Sequence, residues 1–355
     1  MRNTRMWMAA GAALLALAAM VVNAQDSRMA MATRADGASA SAGQPLPVEV
    51  QATINAARSQ KNSQMLETAA DAYDQRNQYE IAKALLENAL AVRGEVSGEK
   101  SQAYSDLLLK LGDLAVKYHK GADANGFYTR GLAFGDRPEA STALYYLGVT
   151  AVMRNQKDQA IDYLQRSLNV APAGPKAGMA MMWMAMGKQR EAGAEAEAES
   201  LYQRALSVED PKSKDTATTM EMYARFLRAH DREADADSYE QRAREIRGVR
   251  TGPAPKPAEG VYKTGIEVKP PTLVSKVEPQ YTEEARAAKL SGPVVLYTEI
   301  GPDGVARNTV VTKSVGLGLD EQAVLAISQW RFNPGTKDGQ PVTVAAIIEV
   351  NFRLL

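Results

Sequence analysis

The sequence predicts two folded parts, an all-α helical solenoid followed by a small α+β domain. From about Val50 to Gly248, proline is sparse, alanine is abundant and apolar residues recur at helical intervals. One short motif repeats along this stretch. After residue 265 the pattern changes to extended segments, turn residues and short helices, which is typical of an α+β domain.

The composition narrows the classes of function. The chain has 355 residues, of which 45% are hydrophobic, so it can build more than one folded core. Its 42 basic residues balance its 42 acidic residues, and no net field therefore attracts nucleic acid or anionic lipid. The absence of cysteine excludes disulfides, thiol nucleophiles and thiolate metal sites. These counts point away from redox chemistry.

The amino terminus has the pattern of an export segment. Two arginines precede an apolar run from Met6 to Val22, and small residues stand just before Gln25. A cleaved signal peptide over residues 1–24 and a short membrane anchor both fit, since the run is at the short end for a bilayer core of roughly 30 Å. Residues 25–49 show little periodicity and are predicted to be a disordered linker.

The helical stretch contains an internal repeat. A large residue, two polar residues, a small residue and a leucine recur at Leu86–Leu90, Tyr128–Leu132, Leu164–Leu168 and Tyr202–Leu206, with a degenerate copy at Tyr239–Arg244. The small residues of successive copies are Ala89, Gly131, Ser167, Ala205 and Ala243, at steps of 42, 36, 38 and 38 residues. This period predicts a solenoid of helix-turn-helix units.

These repeats resemble tetratricopeptide (TPR) repeats. The best copy runs from Ser141 to Pro172 and places Leu144, Leu147-Gly148, Ala151, Ala160, Leu164, Ser167 and Pro172 at the intervals of that family. Small residues let two helices approach, large residues fill the space and proline ends the second helix. The resemblance implies a curved TPR-like array over residues 50–248 that binds a peptide or a partner helix. A Pro-rich linker over residues 249–265 is predicted to follow it as a short semi-rigid spacer.

The terminal segment begins with a predicted hairpin. Val294–Ile300 and Val305–Ser314 are rich in β-branched residues, and the turn residues 301–304 lie between them. A helix is then predicted from Asp320, which would accept hydrogen bonds from the first amides, to Phe332.

Two further predictions concern this helix and the last strand. Trp330 falls on the apolar stripe of the helix, where we expect a buried indole whose N–H meets a backbone carbonyl. From Val342 to Leu354, alternate residues form an apolar core face, and the residues between them form a face in contact with water.

In this order, the elements resemble the C-terminal domain of TonB-type energy transducers. The matching residues are Pro279-Gln280-Tyr281, Gly292, Pro302-Asp303-Gly304, Ser314, Leu319-Asp320, Ala323, Trp330-Arg331-Phe332, Pro334 and Val350-Asn351-Phe352-Arg353-Leu354. The resemblance implies an antiparallel sheet with two helices over residues 266–355. In that family the domain captures a short peptide, the TonB box of an outer-membrane receptor, as an added strand.

The resemblance nominates partner-peptide binding residues by position. They are Glu278, Pro279, Gln280 and Tyr281 before the first helix, and Ile348, Val350 and Phe352 in the closing strand. Tyr281 and Phe352 fit a core position equally well, which makes Glu278 and Gln280 the preferred contacts. Thr282 stands where the family often has proline, and it is predicted to cap a helix over residues 283–290.

The sequence offers no catalytic or metal-binding arrangement. Each of the two histidines, His119 and His230, lies near a predicted helix end without an adjacent nucleophile. The methionines between Met179 and Met186 would suit a soft metal, but they surround Trp183 and have no histidine or cysteine nearby. Methionine is a flexible core filler in such a setting. We therefore predict no enzyme, no cofactor and no metal.

The predicted function is that of a periplasmic TonB-family protein in a Gram-negative-type cell envelope. It would bind outer-membrane receptor peptides by strand addition and support TonB-dependent transmembrane transport, without nucleic acid or a small-molecule substrate. The alternative is a non-energised TPR scaffold that holds envelope proteins or cell wall. The apolar run lacks the Ser and His face through which the family's inner-membrane anchor couples to motor proteins, so partnership with a motor stays open.

Overall fold

The computed structural model describes residues 20–22 and 45–354, which divide between two compact units. One unit ends at Ile246 and is helical, and the other begins at Arg247, contains the sheet and also includes the strand Met20–Val22. No helix within the described ranges has the length and apolar character needed to cross a membrane. Most of the predicted signal or anchor, and most of the linker predicted after it, lie outside these ranges.

The helical unit is a series of antiparallel helix pairs. Its helices are α1 (Val48–Ser59), α2 (Ser63–Gln75), α3 (Tyr79–Ser97), α4 (Gln102–Lys117), α5 (Gly121–Leu132), α6 (Ser141–Met153), α7 (Lys157–Val170), α8 (Ala177–Lys188), α9 (Glu195–Val208), α10 (Lys214–Arg228) and α11 (Glu233–Arg247). From α2 onward, successive helices pair as five helix-turn-helix units. The predicted TPR-like solenoid is therefore confirmed.

Each of the five pairs turns at a residue with left-handed backbone. These residues are Asn77, His119, Asn155, Gly193 and Asp231, with φ between 56° and 80°. In four of the turns the next amide donates to the carbonyl five residues back, as Lys120 does to Ala115 at 2.8 Å, so a helix carbonyl is satisfied where the helix ends. His119 is thus a turn residue, and its exposed side chain needs no other role.

The small residues of the repeat lie where paired helices come closest. A methyl group placed on Gly148 would be 2.7 Å from Cγ of Leu164, and one on Gly131 would be 2.8 Å from Cδ2 of Leu109. Ser167 is buried, and its hydroxyl donates to the Ser141 carbonyl at 2.8 Å. The repeat motif therefore marks the contact between the two helices of a pair.

The methionines of α8 are core residues, in agreement with the interpretation as fillers. Met179, Met181, Met182 and Met186 are at most 3% exposed. Trp183 lies among them and donates its indole N–H to the Tyr145 hydroxyl at 3.2 Å. Within residues 45–354, no group of His, Cys, Asp or Glu side chains has the arrangement of a metal site.

The second unit is a mostly antiparallel sheet with two helices. Its elements are β1 (Met20–Val22), β2 (Val261–Lys263), β3 (Val268–Lys269), β4 (Thr272–Ser275), α12 (Glu283–Ala287), β5 (Gly292–Ile300), β6 (Ala306–Lys313), α13 (Leu319–Gln329), β7 (Arg331–Asn333), β8 (Gly335–Lys337) and β9 (Gln340–Phe352). The main sheet has the order β3-β8-β9-β5-β6, with β1 and β2 also paired to β9. Strands β4 and β7 form a separate pair.

Helix α13 differs from the prediction at both ends. Gly318, with left-handed backbone, is its N-cap, and Asp320 lies inside the first turn. The buried Asp320 carboxylate instead accepts hydrogen bonds from the preceding loop, including the Val315 amide at 2.9 Å. The helix ends at Gln329 because Arg331–Asn333 pairs with β4 as a strand, and this tertiary pairing overrides the helical periodicity.

The segment 249–265, expected to be a spacer, is paired with the sheet. Val311 of β6 donates its amide to the Arg250 carbonyl at 2.8 Å and accepts from the Gly252 amide at 3.0 Å. At the other end, β2 runs parallel to Thr343–Ala345 of β9. Such pairings of one to three residues leave no periodic pattern, and for that reason the sequence did not predict them.

A buried carboxyl group lies between α8, α9 and α10. One Glu209 oxygen accepts from the Thr219 hydroxyl at 2.9 Å, and the other is buried without a partner. The Glu209 side chain fills the space left by Gly178, where an added methyl group would lie 2.2 Å from Cγ and 2.6 Å from the carboxyl carbon of Glu209. Burial, reinforced by nearby Asp215 and opposed by Lys176, raises the Glu209 pKa to about 7.

We predict that Gly148→Ala lowers the free energy of unfolding by about 1–3 kcal/mol, because the new methyl overlaps Leu164. The matched control is Gly126→Ala in α5, where nothing lies within 4 Å of the added methyl. That change should raise stability by up to about 1 kcal/mol through helix propensity. Urea unfolding followed by circular dichroism distinguishes them, and equal effects at both sites would contradict close packing at Gly148.

The second prediction concerns pH. Folded protein keeps the Glu209 proton up to about pH 7, whereas an unfolded glutamate loses it near 4.5, so stability falls as pH rises through this window. Glu209→Gln removes the dependence and should be more stable than wild type by about 1–3 kcal/mol above the folded pKa. Melting curves at several pH values test this, and parallel curves for the two proteins would refute it.

Candidate functional site

The closing strand β9 provides the backbone frame of the candidate site. Along one side it pairs with β5 over nine residues, from Gly292 opposite Phe352 to Ile300 opposite Val344. This pairing leaves the other side of β9, which we call the outer margin, for additional strands. A strand margin binds through its amides and carbonyls, so an added segment needs few specific side chains.

Short segments of the chain itself already pair with parts of the outer margin. Residues 340–342 pair with β8, residues 343–345 with β2 and Ile348–Val350 with β1, the last two in parallel. Within the described ranges, the pairing leaves residues 346, 347, 351 and 352 without a strand on this side. Most of the outer margin is therefore already paired, and a partner strand would have to replace β1 to pair with residues 346–352.

The predicted side chains on β9 face the core. Ile348, Val350 and Phe352 are at most 3% exposed, as the alternation of apolar residues predicts. The opposite face of β9 is less exposed to solvent than predicted, because Ala345 is buried in a second cluster with Tyr297 and Val310. Only the backbone of these three predicted site residues is available to a partner.

Half-buried Tyr281 packs against the buried ring of Phe352. Their rings meet edge to face with centroids 5.6 Å apart, and the Tyr281 hydroxyl donates to the Leu290 carbonyl. Burial raises the pKa of this phenol. Thr282 caps α12 as predicted, accepting from the Ala285 amide at 3.3 Å, although α12 ends at Ala287. The two aromatic residues thus hold α12 against the end of β9.

The remaining predicted residues lie just before α12. Glu278 and Gln280 are exposed, Pro279 is half-buried, and the Glu278 carboxylate pairs with Lys276 at 2.5 Å. Trp330 is 2% exposed and donates its indole N–H to the Val277 carbonyl at 2.8 Å, as expected from the sequence. This bond fixes the start of the segment that presents Glu278 and Gln280.

The Pro302-Asp303-Gly304 turn packs against β7. The Phe332 amide donates to the Gly304 carbonyl at 3.0 Å, and a methyl group on Gly304 would overlap the Phe332 carbonyl oxygen. Gly304 also has a φ of 72°, so glycine is required here on two grounds. Arg307 pairs with Asp303 across the turn and lowers the pKa of that carboxyl. The turn is a structural element of the domain.

One structural feature was missed although its signal was present. Asp338 and Gly339 both have positive φ and form a two-residue turn between Lys337 and Gln340. An Asp-Gly dipeptide before an alternating strand is a strong hairpin signal. It would have predicted β8 and the closure of the margin at residues 340–342.

The comparisons with known proteins agree with this geometry. Residues 277–354 match the family described as the Gram-negative bacterial TonB protein C-terminal. This segment resembles the C-terminal domain of TonB, and for that reason we call it the TonB domain. The TonB match includes α12, the β5–β6 hairpin, α13 and all of β9, so it covers both the outer margin and residues 278–281.

Two relatives share the TonB domain. Protein TonB of Vibrio cholerae serotype O1 is 33% identical over 99 residues, which is 27% of this chain and 41% of that protein. Protein TonB of Escherichia coli K12 is 29% identical over 82 residues, which is 23% of this chain and 34% of that protein. The chain therefore spans less than half the length of either relative, and the likeness concerns the domain.

Several solved structures are similar to this chain at less than 20% sequence identity. MamA is 18% identical with a TM-score of 0.39, covering 50% of this chain and 94% of its own. YrrB, described as a TPR protein with an unusual peptide-binding site, is 18% identical with a TM-score of 0.39, covering 56% and 94%. BtubC from P. vanneervenii is 15% identical with a TM-score of 0.45, covering 61% and 96%. The assignment of the helical unit as a TPR-like array rests on the helix pairs and turn residues described above.

We predict that Trp330→Phe lowers the stability of the TonB domain by about 1–3 kcal/mol, because the Val277 carbonyl loses its donor and the smaller ring leaves a gap. Leu325→Ala, on the helix α13 that precedes Trp330, is the control. Since Leu325 is 53% exposed, its change should stay within about 0.5 kcal/mol. Urea unfolding measures both, and a neutral Trp330→Phe would show that the bond to Val277 contributes little.

Proposed function

We propose that this protein binds extended peptides of outer-membrane receptors by strand addition at the outer margin of β9, and thereby supports TonB-dependent transport across the outer membrane. The proposal rests on two features that occur in the same segment. The TonB match over residues 277–354 contains the outer margin, and that margin pairs with short strands of the chain itself. Backbone pairing of this kind accepts varied sequences.

The predicted residues have different proposed roles because their side chains differ in burial. Ile348, Val350 and Phe352 would contribute amides and carbonyls only, since their side chains are buried. Tyr281 would act indirectly, by holding α12 and Phe352 in place. Glu278 and Gln280 are exposed and would supply the polar contacts, with half-buried Pro279 keeping their segment extended.

The proposed location is the periplasm of a Gram-negative-type envelope. The export pattern of residues 1–24 and the membership of the terminal domain support it. The TPR-like array would bind a second envelope partner, because stacked helix pairs offer an extended surface for a peptide or helix. We assign the protein no catalytic role and treat both parts as binding modules.

A second function, a scaffold without energy transduction, has its own support. The apolar run lacks the Ser and His face of the family's motor-coupled anchor. The five helix pairs precede the terminal domain, whereas TonB transducers reach across the periplasm with a proline-rich segment. In this case the same margin would hold an envelope protein without applying force. A mature chain that begins at Gln25 would favour the scaffold, and a retained amino terminus with a bound motor protein would favour the transducer.

The test is a pair of proline variants, Glu349→Pro and Val350→Pro, measured for binding of TonB-box peptides from outer-membrane receptors by fluorescence anisotropy. Adjacent amides of a strand point to opposite sides, so one variant loses an amide on the outer margin and the other an amide toward β5. The variant without the outward amide loses only contact with the short strand β1, so its melting temperature should stay close to that of the wild type. It should lose binding by at least about tenfold, since it lacks a backbone donor for the peptide.

The other variant, which lacks the amide that points toward β5, should have a lower melting temperature than the wild type because it weakens the pairing of β9 with β5. As a further control, Gln329→Ala changes an exposed residue of α13 and should leave binding unchanged. Wild-type affinity in a proline variant that folds normally and has lost the outward amide would disprove strand addition on this margin.

A further inference from the structure

The segment 250–263, which we call the strap, joins the side of β6 that faces away from β5 to the outer margin of β9. Its first end pairs with Val311 on β6, and its second end is β2, parallel to residues 343–345 of β9. In the strand order, β6 and β9 lie on either side of β5. The two ends of the strap therefore pair with the two neighbours of β5. The strap therefore belongs to the same unit as the proposed peptide site.

The two ends of the strap are held differently from its middle. The first end has two short backbone hydrogen bonds to Val311, at 2.8 and 3.0 Å. The second end adds an apolar contact, since Val261 packs on the cluster formed by Tyr297, Val310 and Ala345. Between them, Pro253, Pro255 and Pro257 lack an amide donor, and residues 253–256 are exposed. A segment held only at its ends can release one end without unfolding the sheet.

The position of β2 limits the proposed peptide site. It pairs with Thr343, Val344 and Ala345 on the outer margin, directly before the stretch from Ala346 to Phe352. A peptide that runs parallel to β9, as β1 and β2 both do, would meet the end of β2 with its own amino-terminal part. The strap and a long peptide thus need the same amides and carbonyls.

We propose that the strap is a built-in competitor that restricts the peptide site to residues 346–352, and that release of β2 extends the site to residue 343. The inference rests on the proposed function of the outer margin and adds a regulation to it. With β2 paired, the protein distinguishes little between short and long peptides. With β2 released, a longer peptide gains the hydrogen bonds that the strap had made.

The experiment compares two fluorescent probes of alternating threonine and valine, with lysines added at the ends for solubility. The short probe has about six residues, to match residues 347–352, and the long probe about ten, to match 343–352. The full chain is used throughout. Strand β1 covers Ile348–Val350, which both probes need, so it weakens both equally and leaves the ratio of their affinities unchanged.

Two variants alter the strap. Val261→Gly with Tyr262→Gly weakens β2, and amide hydrogen exchange at residues 343–345 reports whether it has opened. A cysteine pair, Val261→Cys with Thr343→Cys, joins directly paired positions in a chain that has no other cysteine, so oxidation locks the strap and reduction frees it.

The wild type should bind both probes within about twofold, and the opened variant should bind the long probe at least about tenfold more tightly than the short one, through the added backbone hydrogen bonds. With the cysteine pair oxidised, β2 stays paired, and the two probes should again bind within about twofold of each other. If both probes bind but their ratio is the same in every variant, the strap is no competitor and the proposed function stands. If neither probe binds any variant, the proposed function and this inference both fail.

Discussion

The pairing of β9 with β5 is the interaction on which the TonB domain depends. It fixes nine residues of each strand in one register, and a slip of one residue would move Ile348 and Val350 from the core to the opposite face. The loss of burial makes such a slip costly, and the register also sets the position of Phe352 against Tyr281. Because this side of β9 is committed to the core sheet, any recognition by strand addition falls to the other side.

The other side shows how the domain manages an exposed margin. Unpaired strand margins invite association with other chains, and proteins commonly cover them with short strands or prolines. Here three segments of only three residues each pair with β9, and a proline-containing strap leads into one of them. These short strands protect the margin from general aggregation, and each is individually weak. Under the proposed function, a partner with more backbone contacts would displace them.

The sequence predicted the features that leave a periodic or local pattern in the residues. The repeat steps, the small contact residues such as Gly148, the β5–β6 hairpin and the buried Trp330 with its carbonyl partner all followed from local patterns. The failures have physical causes. Asp320 has the chemistry of a helix cap, but its carboxylate serves the preceding loop. Three-residue pairings such as β2 depend on contacts distant in sequence, and the peptide-contact residues rest on family resemblance because no local pattern marks a binding margin.

The turns of the helical unit have a consequence for how such an array changes in length. From each left-handed turn residue to the small residue of the following helix the count is the same, as from Asn155 to Ser167 and from Gly193 to Ala205. The unequal steps of the repeat therefore arise outside this interval, for example in the long helix α3. Insertions and deletions can accumulate between helix pairs without altering the interface within a pair, so the array can diverge in spacing while each pair keeps its internal fit.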